Sequence, residues 1–153
     1  MTAQQHLTNS THASSRSASW AKYLATETRR LDETGVAAAI ISIRLGSDDE
    51  RIQRQVVGFL GHTLRPTDTF DLGPNNEISI LLAPINGTVA LTERVRVLHN
   101  RIAKLGGVPF TGYAPRRTDE DLVATLARAD ASADRAAFRR ERYPSVLVLP
   151  QHG

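Results

Sequence analysis

Between residues 64 and 83 the chain reads LRPTDTFDLGPNNEISILLA, and no other stretch limits its possible folds as tightly. Thr69-Phe70-Asp71-Leu72 is short and partly apolar. Gly73-Pro74-Asn75-Asn76 is dense in turn formers, and residues 77–83 then alternate, with Ile78, Ile80 and Leu82 on one face. Two short strands joined by a polar turn predict a hairpin, the place where a packed sheet holds a functional loop rigidly.

The flanking segments supply the rest of a small domain. Residues 1–19 are Ser, Thr, Gln, Asn and His with almost no large apolar side chain. Such a composition does not offset its ordering entropy, so a disordered polar tail is expected ahead of a domain over 20–150. Trp20, Tyr23, Leu24 and Leu31 recur at helical spacing, and Gly35 supplies a stop. Residues 36–43, VAAAIISI, are almost continuously apolar, the mark of a central strand covered on both faces. A helix is expected to begin at Gly46-Ser47-Asp48-Asp49, bury Ile52, Val56, Phe59 or Leu60, and Leu64, and close at Pro66.

After the hairpin and an Asn86-Gly87 turn, residues 88–104 predict a second long helix with Leu91, Val95, Leu98 and Ile102 inward. Gly106-Gly107 ends it. Residues 108–114, VPFTGYA, read as a strand, with Pro109 at its start or on an exposed edge. Thr118 is placed to cap a further helix with Asp121 at N3, burying Leu122, Leu126, Ala129, Ala133 and Ala136. Pro144 breaks that helix, and residues 145–149, SVLVL, predict a last strand. The order implies an α+β domain with a ferredoxin-like βαββαβ core, helices on one side of a mostly antiparallel sheet, and an extra C-terminal helix and strand.

Composition narrows the functional classes. A chain of 153 residues, 41% hydrophobic, suits one domain with a proper core. With no cysteine, disulfides and thiolate metal sites are excluded, which fits a reducing compartment. No apolar run approaches the ~20 residues that span a bilayer, so a cytoplasmic protein with no membrane role is expected. The formal charge of +3 is compatible with an anionic partner but too small to indicate nucleic acid. Arg94, Arg96, Arg101 and Lys104 line one helix face, and Arg135, Arg139, Arg140 and Arg142 another. Neither carries the aromatic platform that single strands need. His6, His12, His62, His99 and His152 are scattered without metal-ligand spacing, so no metal and no cofactor are expected.

With its elements in this order, the chain resembles the GGDEF domain of diguanylate cyclases, enzymes that make cyclic di-GMP from two GTP molecules. The resemblance covers residues 20–141. Arg65-Pro66-Thr67-Asp68 is similar to the family's RxxD motif, and after five intervening residues Pro74-Asn75-Asn76-Glu77-Ile78 stands in place of GGDEF. Thr111-Gly112-Tyr113-Ala114 and Ala129-Asp130 match two later landmarks. The resemblance implies a fold of the nucleotide-cyclase palm type.

It also implies where chemistry would sit, and there the chain departs. Ser42 and Arg44 occupy the family's D-x-D, offering a neutral hydroxyl and a cation where hard cations need anionic oxygens. Pro74 and Asn75 replace the two glycines, Asn76 replaces the acid, and Glu77 alone survives with Ile78 after it. Only residues 45–49 fill the segment that would read guanine, and Ala136-Ala137-Phe138-Arg139-Arg140 lacks the expected lysine. A degenerate cyclase with no catalytic residue is the expectation.

The RxxD motif is retained, and in the family it is the inhibitory site that binds cyclic di-GMP. Arg65 offers a two-donor fork to guanine O6 and N7 or to a phosphate. Asp68 would accept from guanine's other edge, and Arg94 or Arg96 of the next helix would join them, the E-R-V-R context favouring Arg94. The plainer reading is a solvated ion pair at a helix end, of little energy, with Pro66 as simple termination. The chain is therefore expected to be a catalytically inactive regulatory module. It would sense cyclic di-GMP and signal by association with an unidentified protein partner or as a homodimer. The alternative is a nucleotide-independent protein-interaction scaffold.

Overall fold

The computed structural model describes residues 4–6 and 15–142. In chain order the elements are β1 (Gln4–His6), α1 (Ser15–Thr34), β2 (Ala39–Leu45), α2 (Glu50–Thr63) and β3 (Thr69–Leu72). They continue as β4 (Glu77–Leu82), α3 (Thr88–Lys104), β5 (Pro109–Pro115) and α4 (Leu122–Arg142). The sheet runs β1-β3-β4-β2-β5. Its four longer strands are antiparallel throughout, pairing Ile43 with Ile78 and Thr111, and Phe70 with Ile80. The expected α+β βαββαβ core is therefore present, in the palm-like order.

Strand alternation divides the core into two layers. Ala39, Ile41, Ile43, Ile78, Ile80 and Leu82 pack with Val56, Leu60 and Leu64 at α2 and with Leu91, Val95, Leu98 and Ile102 of α3. The intervening residues Ile40, Leu81 and Ala114 pack with Trp20, Leu24 and Leu31 of α1 and Leu122 and Ala129 of α4. Helices thus cover both faces, which corrects the expectation of helices on one side. The cause lies in β2, whose residues 39–43 are all buried and need apolar cover above and below.

Local signals explain most boundaries. Asp49 caps α2, its Oδ1 accepting from the Arg51 N–H at 2.9 Å, and Leu60 rather than Phe59 takes the fully buried position. Gly106, at φ +91°, closes α3 in a Schellman turn, with the Gly106 N–H on Ala103 O and the Gly107 N–H on Ile102 O, both at 3.0 Å. The cap of α4 is Asp121, which accepts from the Val123 N–H at 2.7 Å, and not Thr118. Asp119 sits at φ +60° between them and turns the chain before a helix begins.

Two findings fall within the expected N-terminal tail. Gln4–His6 lies parallel to residues 69–71 of β3, and α1 begins at Ser15 rather than Trp20. Backbone pairing at a sheet edge makes little demand on side-chain polarity. The predicted strand over 145–149 lies outside the described residues.

Candidate functional site

The hairpin and the RxxD motif lie at opposite ends of the sheet, because β3 and β4 separate them. At the hairpin, the Glu77 N–H donates to Pro74 O at 3.3 Å, and Asn75 and Asn76 take φ values of 59° and 62°. Positive φ at both central residues is the mark of a type I′ turn, a conformation asparagine tolerates without glycine's freedom. Pro74 has no N–H, so Gly73 donates to Glu77 O instead, at 2.8 Å.

The Asn76 amide is spent on its surroundings. Its Oδ1 accepts from Gln53 Nε2 at 2.7 Å, and its Nδ2 donates to Asp48 Oδ1 at 3.0 Å. These bonds tie the turn to the start of α2. Beside it, Ser42 Oγ donates to Asp130 Oδ1 at 2.5 Å, and Arg44 pairs with Asp134 while standing 4.0 Å from Glu77. Ser42 faces Ser79, and Arg44 faces Glu77, across the β2–β4 ladder. The corner is a hydrogen-bonded and ion-paired seam between the sheet and α4. Asp134, which completes it, carried no signal in the sequence, because its partner lies ninety residues away. Among the described residues no three His, Cys, Asp or Glu side chains cluster to hold a metal.

At the other end, residues 65–68 form a turn closed by the Asp68 N–H on Arg65 O at 2.9 Å, with Pro66 at its second position. The turn folds the motif back on itself. Asp68 Oδ2 accepts from the Arg65 N–H at 2.9 Å and from Arg65 Nε at 3.1 Å, while Oδ1 accepts from Arg65 Nη2 at 2.9 Å. The Ala83 N–H adds a bond at 3.3 Å to Oδ1, and Arg94 Nη2 one at 3.0 Å to Oδ2. Asp68 is fully buried.

The geometry therefore brings Arg65, Asp68 and Arg94 together and leaves Arg96 out, paired with Glu93 on the exposed side of α3. It also changes the part of Asp68. A carboxylate buried under five in-chain donors has no edge left for guanine, and it holds two guanidinium groups side by side. Burial lowers the pKa of Arg94 against the opposing pull of Asp68, and the neighbouring Arg65 adds to the lowering. Side-chain exposures of 34% for Arg65 and 28% for Arg94 leave both cations reachable from solvent. They border a cavity of about 350 Å³ with Leu82, Pro84, Ile85 and Leu91 as apolar floor and Asn86, Ala90 and Glu93 completing it. Arg65 Nη2 also donates to Pro84 O at 2.6 Å, which fixes the cavity wall. Sequence reasoning had no access to Ala83 or Pro84, which join the site only once β4 returns beside Asp68.

No protein-family model matches the sequence, and a comparison with curated proteins finds no match. Solved structures do match. The GGDEF domain of DgcB from Caulobacter crescentus in complex with c-di-GMP superposes with a TM-score of 0.67 at 13% identity, over 82% of this chain and 81% of that one. The longer coiled coil and GGDEF domain of the same protein, also with c-di-GMP, gives 0.71 at 12% identity, over 89% and 80%. The GGDEF domain of YfiN from Pseudomonas aeruginosa gives 0.59 at 18% identity, over 80% and 89%. With the strand order and the two helical layers described above, these likenesses establish that the chain has the fold of a GGDEF domain.

Proposed function

We propose that this chain is a catalytically inactive GGDEF-like regulatory module that binds cyclic di-GMP through Arg65 and Arg94, with Asp68 as their buried anchor, and signals by protein association. The observation that carries the reading is the pair of partly exposed guanidinium groups held on one buried carboxylate at the edge of an open cavity. The N–H donors that the two guanidinium groups keep beyond their bonds to Asp68 and Pro84 suit phosphate oxygens or the O6 and N7 acceptors of guanine. Two of the structures that share the fold hold c-di-GMP, which supports the choice of ligand.

Loss of cyclase activity is supported at the hairpin corner. Ser42 and Arg44 stand where the resemblance calls for cation-binding acids, and both are committed to Asp130 and Asp134. A guanidinium at that place repels a divalent cation rather than holding it.

Titration calorimetry of the full chain with cyclic di-GMP is the direct test. Binding at ligand concentrations of about 100 μM or below, abolished by Arg65→Ala and Arg94→Ala, is the expected result. No heat and no thermal stabilisation in that range would leave the nucleotide-independent scaffold. A parallel incubation with GTP and magnesium is expected to yield no cyclic dinucleotide.

A further inference from the structure

We infer that Glu93 is the specificity residue of this cavity, the acceptor that reads the N1 and N2 donor edge of a guanine base while Arg65 and Arg94 hold its acceptors or a phosphate. The inference rests on the nucleotide-binding reading above and deepens it. A guanine base presents two different edges, acceptors at O6 and N7 and donors at N1–H and the 2-amino group. Two arginines satisfy only the first. The acid that the RxxD spacing offers for the second is Asp68, and that carboxylate is fully buried beneath its own five donors. Releasing it would strip both guanidinium groups of their counter-ion.

Among the described residues that line the cavity, Glu93 is the one acid. It precedes Arg94 on α3, and its side chain is 56% exposed, so a ligand reaches it without displacing the core. Arg96 Nε donates to Glu93 Oε2 at 3.2 Å, and Arg96 Nη2 pairs with Oε1. A carboxylate has about four acceptor positions, so two remain for the paired N–H donors of guanine. Arg96 thereby gains a part that its distance from Asp68 conceals: it orients Glu93 and, chiefly through its hydrogen bond, lowers the pKa of that carboxyl. The apolar floor of Leu82, Pro84, Ile85 and Leu91 suits the flat body of the base.

The experiment compares cyclic di-GMP with cyclic di-IMP, whose hypoxanthine bases lack only the 2-amino group, by calorimetry on wild type, Glu93→Ala, Glu93→Gln and Arg96→Ala. Wild type is expected to bind the guanine ligand roughly tenfold more tightly, the worth of one charge-assisted hydrogen bond. Both Glu93 variants should bring that ratio close to one, while Arg96→Ala should keep most of it. Thermal midpoints of the unliganded variants should match wild type, since the side chain is exposed. An unchanged ratio in Glu93→Ala overturns this inference and leaves the arginine site standing. Absence of binding of either ligand to wild type overturns both, and is seen before any variant is made.

Discussion

Asp68 is a full charge with no exposure, and its burial is tolerable only because Arg65, Arg94 and the Ala83 N–H surround it. Truncating it removes the counter-ion from two neighbouring cations and leaves the Ala83 N–H unsatisfied. Asp68→Ala is expected to cost about 3 kcal/mol in urea denaturation, and Arg65→Ala about 1 kcal/mol, because Arg94 still neutralises the acid. A smaller loss for Asp68→Ala than for Arg65→Ala would sink the anchoring role. The motif's two members were legible from their spacing, but their arrangement was not. The same Arg-Pro-Thr-Asp string describes a solvated pair or a buried hub, and what decides is Ala83 and Arg94, fifteen and twenty-six residues further along.

His99 presents another buried polar side chain, with Nδ1 2.8 Å from Thr111 Oγ1 and, among the described residues, no hydrogen-bond partner at Nε2. Burial lowers its pKa from 6.5 in the folded state. The unfolded chain therefore binds the proton more readily, so this contribution to stability is present above the unfolded value and is lost as pH falls below about 6.5. Thermal midpoints measured between pH 7.5 and 5.5 should fall with acid, and His99→Phe should flatten that slope. Equal slopes for the two proteins would show that the imidazole is not responsible.

Among the elements, α4 owes its seat to one missing side chain. A Cβ at Gly112 of β5 would come within 2.7 Å of the Ser132 carbonyl carbon, and it would also meet the backbone of Ala129 and Ala133. Backbone does not swing aside as a flexible side chain does. Gly112→Ala is accordingly expected to cost about 3 kcal/mol by overpacking and to expose Trp20 fluorescence to quencher, since α1 and α4 share one apolar layer. The loop between β5 and α4 carries an ion pair to each of these helices. Arg116 bonds Asp32 at 2.5 Å, and Arg128 bonds Glu120 at 2.6 Å, lowering the Glu120 carboxyl to about 2.

The positions of β2 to β5 and the length of α3 were legible because alternation and three-to-four spacing are properties of contiguous residues. The helical layer formed by α1 and α4 was legible in part. An almost continuously apolar run over residues 36–43 and an apolar stripe on α1 already demanded a second covered face, which a ferredoxin-like template with helices on one side does not supply. The Asp121 cap was obscured because Thr118 offers the same chemistry three residues earlier, and only the left-handed Asp119 excludes it. The corner seam of Arg44 with Asp134 depends on the register of α4 over the sheet, which local pattern does not encode.

At the scale of the whole molecule, the two ends of the sheet differ in how their polar side chains are engaged, and the proposed function turns that difference into a prediction of how copies interact. The hairpin end is closed by side-chain bonds within the chain, whereas the end holding Arg65 and Arg94 keeps cations near solvent around an open cavity. A net charge of +3 makes two copies repel one another at long range. A cyclic dinucleotide carries two phosphates and two bases, so one half can occupy the cavity while the other faces a second cationic surface. Sedimentation velocity is therefore expected to show cyclic di-GMP raising the average mass of the full chain at about 0.05 M salt. Roughly 1 M salt should weaken the effect, because the Debye length shrinks to about 3 Å and screens the bridged charges. Arg65→Ala combined with Arg94→Ala should remove the ligand dependence altogether. A mass that is high without ligand and unchanged in the double variant would point instead to an interface built on apolar contact, and the scaffold reading would then account for the molecule.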